Sequence, residues 1–134
     1  MSDDELIEQA RKAAEHTYSP YSKFPVGAAV IGADGEVYRG CNVENASYGL
    51  TVCAERIAIF NAISAGNKQI KKLATTCLKG DKSLPNSLMS CGACRQVISE
   101  FLEEGGKILV DGVGSFTMEQ YLPMALKLPE SYAK

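Results

Sequence analysis

The chain has 134 residues, enough for one domain and short for two. Apolar residues make up 46% and charged residues 22%, ordinary proportions for a globular protein with a real core. A net charge of −2 argues against a surface built to wrap duplex DNA, which carries a basic excess. No apolar run approaches the ~18 residues that suggest a membrane span. The stretch Met1 to Glu5 is acidic and does not look like a secretory leader, so a cytoplasmic, reducing setting is expected. In that setting the five cysteines read as metal ligands or reactive thiols before disulfides.

Residues 2–16 are predicted to form a surface helix. Ser2 and Glu5 have capping-box spacing, and Leu6, Ile7, Ala10, Ala13 and Ala14 make an apolar stripe. The stretch Tyr18 to Pro25 is a loop, because Pro20 and Pro25 forbid a continuous helix. Residues 26–31 and 37–42 read as strands of a hairpin turning at Ala33-Asp34-Gly35. Residues 52–65 read as a helix closed by Gly66. A strand over 70–78 and a loop over 79–89 follow. Next come a helix over 91–103 ended by Gly105-Gly106, a strand from Lys107, and a short helix from Thr117 to Leu122. Alternating helices and strands predict an α/β layered domain with a mixed sheet over 1–134, the hairpin giving its antiparallel part.

Two helix starts concentrate the chemistry: Cys53-Ala54-Glu55-Arg56 and Cys91-Gly92-Ala93-Cys94. Cys91 and Cys94, three apart on a helical turn, face one side. A helix N-terminus favours the thiolate, the form that binds metal. Cys53 would complete a three-sulfur face, and three protein ligands with one open position is the pattern of a catalytic zinc. Glu55 lies close to such a metal without having to bind it. A carboxylate there can take a proton from an activated water and pass it to a leaving group. Three thiolates on a divalent ion leave a net negative site, which Arg56 could offset by donating to a ligand sulfur. Taken singly, these residues have plainer readings. A lone C-x-x-C also suits a redox pair or half of a structural zinc site, Cys53 a buried small side chain, and Glu55 and Arg56 a solvated helix. Cys41 and Cys77 lie in strands and read as core, and His16 is assigned no metal role.

The joint pattern resembles the small, homotetrameric zinc-dependent cytidine deaminases. The likeness runs through Tyr21-Ser22-Lys23-Phe24, Val26-Gly27-Ala28-Ala29, Gly40-Cys41-Asn42-Val43-Glu44-Asn45, Tyr48-Gly49-Leu50 and the two cysteine segments, extended to Arg95-Gln96-Val97. It implies a three-layer α/β/α fold with a mixed central sheet, and one zinc on Cys53, Cys91 and Cys94. Glu55 would be the proton shuttle in deaminating cytidine and 2′-deoxycytidine for pyrimidine salvage. Phe24 and Ala54 would contact the substrate, Asn42 and Glu44 would bind the ribose, and Arg56 would stand behind the ligands. Ala46 and Tyr48 would reach a neighbouring subunit's site. The implied partners are a small nucleoside and further copies of the chain, with no nucleic acid and no membrane.

The chain departs from the family pattern in three places. Ser90 stands where the family has proline before its first C-x-x-C cysteine. Tyr121-Leu122-Pro123-Met124-Ala125-Leu126 stands where the family has Leu-Leu-Pro-Gly-Ala and an aromatic, leaving Tyr132 as another candidate to cover the pyrimidine. The segment 79–89 is longer than usual. The alternatives are a deaminase of another cytosine-bearing nucleoside such as blasticidin S, a non-enzymatic zinc or nucleoside-binding module with Cys41 or His16 as fourth ligand, and a thiol redox module.

Overall fold

A five-stranded mixed sheet in the order β2-β1-β3-β4-β5 organises the computed structural model, which describes residues 1–132. Its strands are β1 (Val26–Gly32), β2 (Val37–Cys41), β3 (Ile70–Cys77), β4 (Leu102–Val110) and β5 (Gly114–Phe116). The hairpin β1–β2 is antiparallel, as are β1–β3 and β4–β5, while β3 and β4 run parallel. The parallel pair needs a crossover, supplied by α3 (Gly92–Phe101). Helix α2 (Ala54–Ser64) joins β2 to β3, α1 (Asp3–Ala14) precedes the sheet, and α4 (Met118–Tyr121) follows it.

Side chains alternate across each strand, so the sheet feeds two cores. Ala29, Ala74 and Leu109 pack with Leu6 and Ala10 of α1 on one face. Ala28, Val30, Leu73, Ile108 and Val110 pack with Ala58, Ile59 and Ala62 of α2 and Ile98 of α3 on the other. The expected three layers are present. The Ser2–Glu5 capping box forms as its spacing predicts.

Two glycines set how close the helices come. A Cβ at Gly27 would lie 2.0 Å from the Ala10 carbonyl oxygen, and one at Gly40 would lie 2.4 Å from the Ala58 nitrogen. Helix α1 therefore rests on bare backbone at β1, and α2 at β2.

The structure differs from expectation after α3. Strand β4 begins at Leu102 with no intervening loop, so 102–106 is strand and not the end of a helix. The Gly105-Gly106 pair serves an irregularity in the β3–β4 ladder between the pairs Ile70–Leu102 and Lys72–Lys107, where Gly105 has φ +79°. Strand β5, three residues long, carries too little alternation to be read beforehand. Within the loop 79–89, residues Pro85–Leu88 form a 3₁₀ turn that buries Leu88. The side chain of Tyr132, named above as a pyrimidine cover, lies outside the described residues.

Candidate active site

Strand register decides where the site sits. Gly27 pairs with Cys41 and Val26 with Cys77, so β1 begins where β2 and β3 end. The loops leaving β2 and β3 lead to the starts of α2 and α3, and the loop before β1 arrives at the same end. Ligands of open α/β sheets bind outside the carboxyl ends of strands, and this is such a place.

Cys53 is the N-cap of α2 and Cys91 the N-cap of α3. Cys94, one turn into α3, is buried. The three sulfurs lie within 4.8 Å of one another, with 3.9 Å between Cys53 and Cys91 and 3.4 Å between Cys91 and Cys94. Among the described residues this is the group able to hold a metal ion. Neither Cys41 nor His16, the two candidates for a fourth ligand, belongs to it. The Cys41 thiol donates instead to the His16 carbonyl at 3.4 Å. Cys77 packs against the larger core, where burial pushes its thiol up to about 11.

The donor set fits zinc chemically. The Cys53 thiol is pushed down, first by a hydrogen bond with Cys94 and then by the Arg56 guanidinium. Cys94 is pushed up by the same contact and by burial. The Cys94 backbone N–H also donates to the Cys91 sulfur at 3.4 Å, as a helix start allows. Arg56 Nη2 approaches the Cys53 sulfur to 3.5 Å, while its buried Nε has no hydrogen-bond partner. A cation held half-satisfied beside three sulfurs matches a site whose ligands ionise.

Glu55 is 4% exposed, and burial pushes its carboxyl up, opposed by a hydrogen bond from the Ser90 side chain. A buried carboxyl whose proton affinity is raised is suited to acid–base work. Ser90 is also buried. Tyr121 Oη accepts from the Ser90 N–H at 2.8 Å and donates to Ser90 Oγ at 2.8 Å.

The expected ribose residues are tied into the loop before β1. Asn42 Oδ1 accepts from the Val26 N–H at 2.9 Å and from the Thr17 hydroxyl, and Nδ2 donates to the Phe24 carbonyl at 2.9 Å. One amide N–H of Asn42 is left for a ligand. Glu44 Oε1 accepts from the N–H groups of Tyr21 and Ser22 at 3.0 and 3.1 Å, and Oε2 accepts from the Ser22 hydroxyl. The Ser22 hydroxyl, first among these, holds the Glu44 carboxyl below its ordinary value. Phe24 is half-buried and Ala54 is fully buried at the first turn of α2. Ala46 is exposed, and Tyr48, 74% exposed, meets Tyr21 edge to face at 5.8 Å. Leu126 is 67% exposed, and its carbonyl accepts from Gln96 at 3.1 Å. Sequence reasoning missed the roles of Thr17, Ser22 and Tyr121, which are common residue types without a spacing signal.

Residues 1–106 match the family described as "Cytidine and deoxycytidylate deaminase zinc-binding region", and the chain belongs to that family. It is 52% identical over 101 residues to the cytidine deaminase of Sporosarcina psychrophila, covering 75% of this chain and 71% of that protein. It is 44% identical over 124 residues to the cytidine deaminase of Halalkalibacterium halodurans, covering 90% of each. Among solved structures, the cytidine deaminase of Burkholderia pseudomallei superposes with a TM-score of 0.83 at 40% identity, covering 94% of this chain and all of that one. That of Mycobacterium tuberculosis gives 0.81 at 38% identity, covering 96% of this chain and all of that one.

Proposed function

We propose that the chain hydrolyses cytidine and 2′-deoxycytidine to uridine and 2′-deoxyuridine with release of ammonia, in pyrimidine salvage. The observation that carries this reading is the buried Glu55 carboxyl, two residues from Cys53 and beside a cluster of three sulfurs that no fourth ligand joins among the described residues. Cys53, Cys91 and Cys94 would hold one zinc. When bound, zinc supplies the acidity that makes a water nucleophilic near neutral pH.

The remaining roles belong to the protein. Water adds across the C4–N3 bond of the ring, oxygen to C4 and one proton to N3. Glu55 accepts that proton from the water and delivers it to N3. It then moves the second proton to the exocyclic nitrogen, and the C4–N4 bond breaks to release ammonia. A carboxyl whose burial favours the protonated form holds each proton between transfers. Phe24 and Ala54 line the base, the free N–H of Asn42 donates to a ribose hydroxyl, and Glu44 accepts from the 3′-hydroxyl. A pocket built on those groups disfavours free cytosine, because they would be left unpaired.

We read 1–134 as one domain, acting in the cytoplasm as a homotetramer in which Ala46 and Tyr48 reach a neighbouring copy's site. Exposed Tyr18, Tyr21, Val43, Tyr48 and Leu50 support the assembly, since apolar surface of this kind suits contact with another chain. Light scattering should give four times the chain mass of 14.4 kDa, and a monomer would remove this part of the reading.

The test is ammonia release from cytidine, 2′-deoxycytidine, cytosine, blasticidin S and a single-stranded oligonucleotide, with zinc measured on the same sample. Cytidine and deoxycytidine should lead. Glu55→Ala should keep its zinc and lose activity by roughly 10²- to 10⁴-fold. An active Glu55→Ala protein would contradict the assignment. The second reading, a bulkier cytosine-bearing nucleoside, is favoured by exposed Leu126, which puts no aromatic ring over the base. Preference for blasticidin S in the same panel would establish it.

A further inference from the structure

We propose that Ser90, Tyr121 and Arg95 form a positioning lock that fixes the backbone before Cys91 and commits the Ser90 hydroxyl proton to the Glu55 carboxyl. The inference rests on the deaminase reading above, in which Glu55 moves protons.

Ser90 brings two polar groups that a proline would lack, a backbone N–H and a hydroxyl, into a buried position. An unpaired buried N–H is costly, so it needs an acceptor. Tyr121 Oη is that acceptor at 2.8 Å. The tyrosine has one hydroxyl proton, and it goes to Ser90 Oγ at 2.8 Å. The serine hydroxyl proton is then free to point away from Tyr121. The Ser90 hydroxyl acts on the Glu55 carboxyl against the effect of burial, and Glu55 is the acceptor assigned to that proton.

Arg95 closes the lock. Its Nε donates to the Ser90 carbonyl at 2.9 Å and its Nη1 to the Tyr121 carbonyl at 2.7 Å. Its guanidinium lies 4.4 Å from the Tyr121 ring centroid, within cation–π range. Tyr121 is 1% exposed, so neither the ring nor its hydroxyl is held by solvent. Ser90 is thus fixed through N–H, carbonyl and hydroxyl at once. One face of the lock bears on a ligand through the Ser90–Cys91 peptide, the other on the proton carrier. The two departures at 90 and 121, which are 31 residues apart, are halves of one arrangement.

The two faces are separable by substitution. Ser90→Ala keeps the N–H bond to Tyr121 and removes only the hydroxyl. Tyr121→Phe removes the acceptor of the N–H and loosens both faces. Ser90→Pro with Tyr121→Phe removes both members of the N–H pair and leaves no unpaired amide. In the zinc-loaded protein, the transfer of zinc to a chromogenic chelator and kcat with KM are measured for each. Ser90→Ala should lower kcat roughly tenfold, the scale of one buried hydrogen bond, with KM within about twofold and zinc transfer at the wild-type rate. Ser90→Thr should restore kcat. Tyr121→Phe should lower kcat and also speed zinc transfer several-fold. The double variant should return zinc transfer to the wild-type rate while kcat stays low.

Wild-type kcat in Ser90→Ala would overturn the assignment of the hydroxyl. Equal zinc transfer in Tyr121→Phe and wild type, or additive effects in the double variant, would overturn the lock. If the unmodified protein released no ammonia from any nucleoside, the deaminase reading would fail first, and the zinc-transfer comparison would still decide the lock.

Discussion

Arg56 carries an unusual pairing of features: one nitrogen on a ligand sulfur and a buried Nε with no partner. Leaving a buried donor unpaired costs about 1–3 kcal/mol, so attraction to the sulfurs must offset it. Arg56→Gln keeps a polar side chain and removes the charge. It should weaken zinc binding about 10- to 100-fold, measured by competition with a chelator, while Cys53, Cys91 and Cys94 remain in place. At this scale the sequence was most informative where residues share a helix start. The offsets Cys53–Glu55–Arg56 and Cys91–Cys94 put five groups on two first turns, and a helix at each place gathers its own set. Contacts closed across the chain left no such trace. Thr17 with Asn42, Ser22 with Glu44 and Ser90 with Tyr121 join common residue types 22 to 31 positions apart. Only the fold brings them together, and it uses most of the hydrogen-bonding capacity of Asn42 and Glu44 to shape the loop that carries Phe24.

Gly40 fixes the seat of α2 and with it the depth of Glu55. A methyl group there would sit 2.4 Å from the Ala58 nitrogen and 2.6 Å from the Ala54 carbonyl oxygen, both backbone atoms that cannot swing aside. Gly40→Ala should destabilise the protein by about 1–3 kcal/mol, read as a lower denaturant midpoint, and should cut activity further by displacing α2. The hairpin, the capping box and both cysteine-capped helices were legible as elements, because period and caps agreed. The error came at 102–106, where a helical pattern continues in the letters but pairing with β3 wins. Gly105-Gly106, taken as a helix stop, was the right residue pair for the wrong event.

Helix α1 contributes no residue to the site, yet it is anchored to the sheet by charge at both ends. Asp3 receives Lys72 at 2.6 Å and Lys107 at 2.9 Å. Arg11 bonds both oxygens of Asp111 at 2.9 Å, and the Thr76 hydroxyl donates to the same carboxylate at 2.8 Å. The Arg11 guanidinium, first among these, holds the Asp111 carboxyl below its ordinary value. A depressed native pKa stabilises the fold above the unfolded value near 3.9, and the contribution is lost as pH falls through the native value. Arg11 is 45% exposed, so water screens the pair and about 1 kcal/mol is the expected scale. Asp111→Asn should lower the thermal midpoint at pH 7, and the gap from wild type should close in acid as pH falls through the native value. The layered architecture was legible from the alternation of elements and from the family likeness. The meeting of Arg11 with Asp111 was not, being set by where α1 lies across the sheet.

That placement has a mechanical meaning. Gly27 and Gly40 lie on neighbouring strands and bare opposite faces, so the sheet is at its thinnest between α1 and α2. A thin, incompressible wall transmits displacement instead of absorbing it. The depth of Glu55 is therefore set in part by a surface helix on the far side, and bulk added at Ala10 or Ala14 would push on Glu55 through the wall. A substitution remote from every reacting atom would then act as a fine adjustment of reaction geometry.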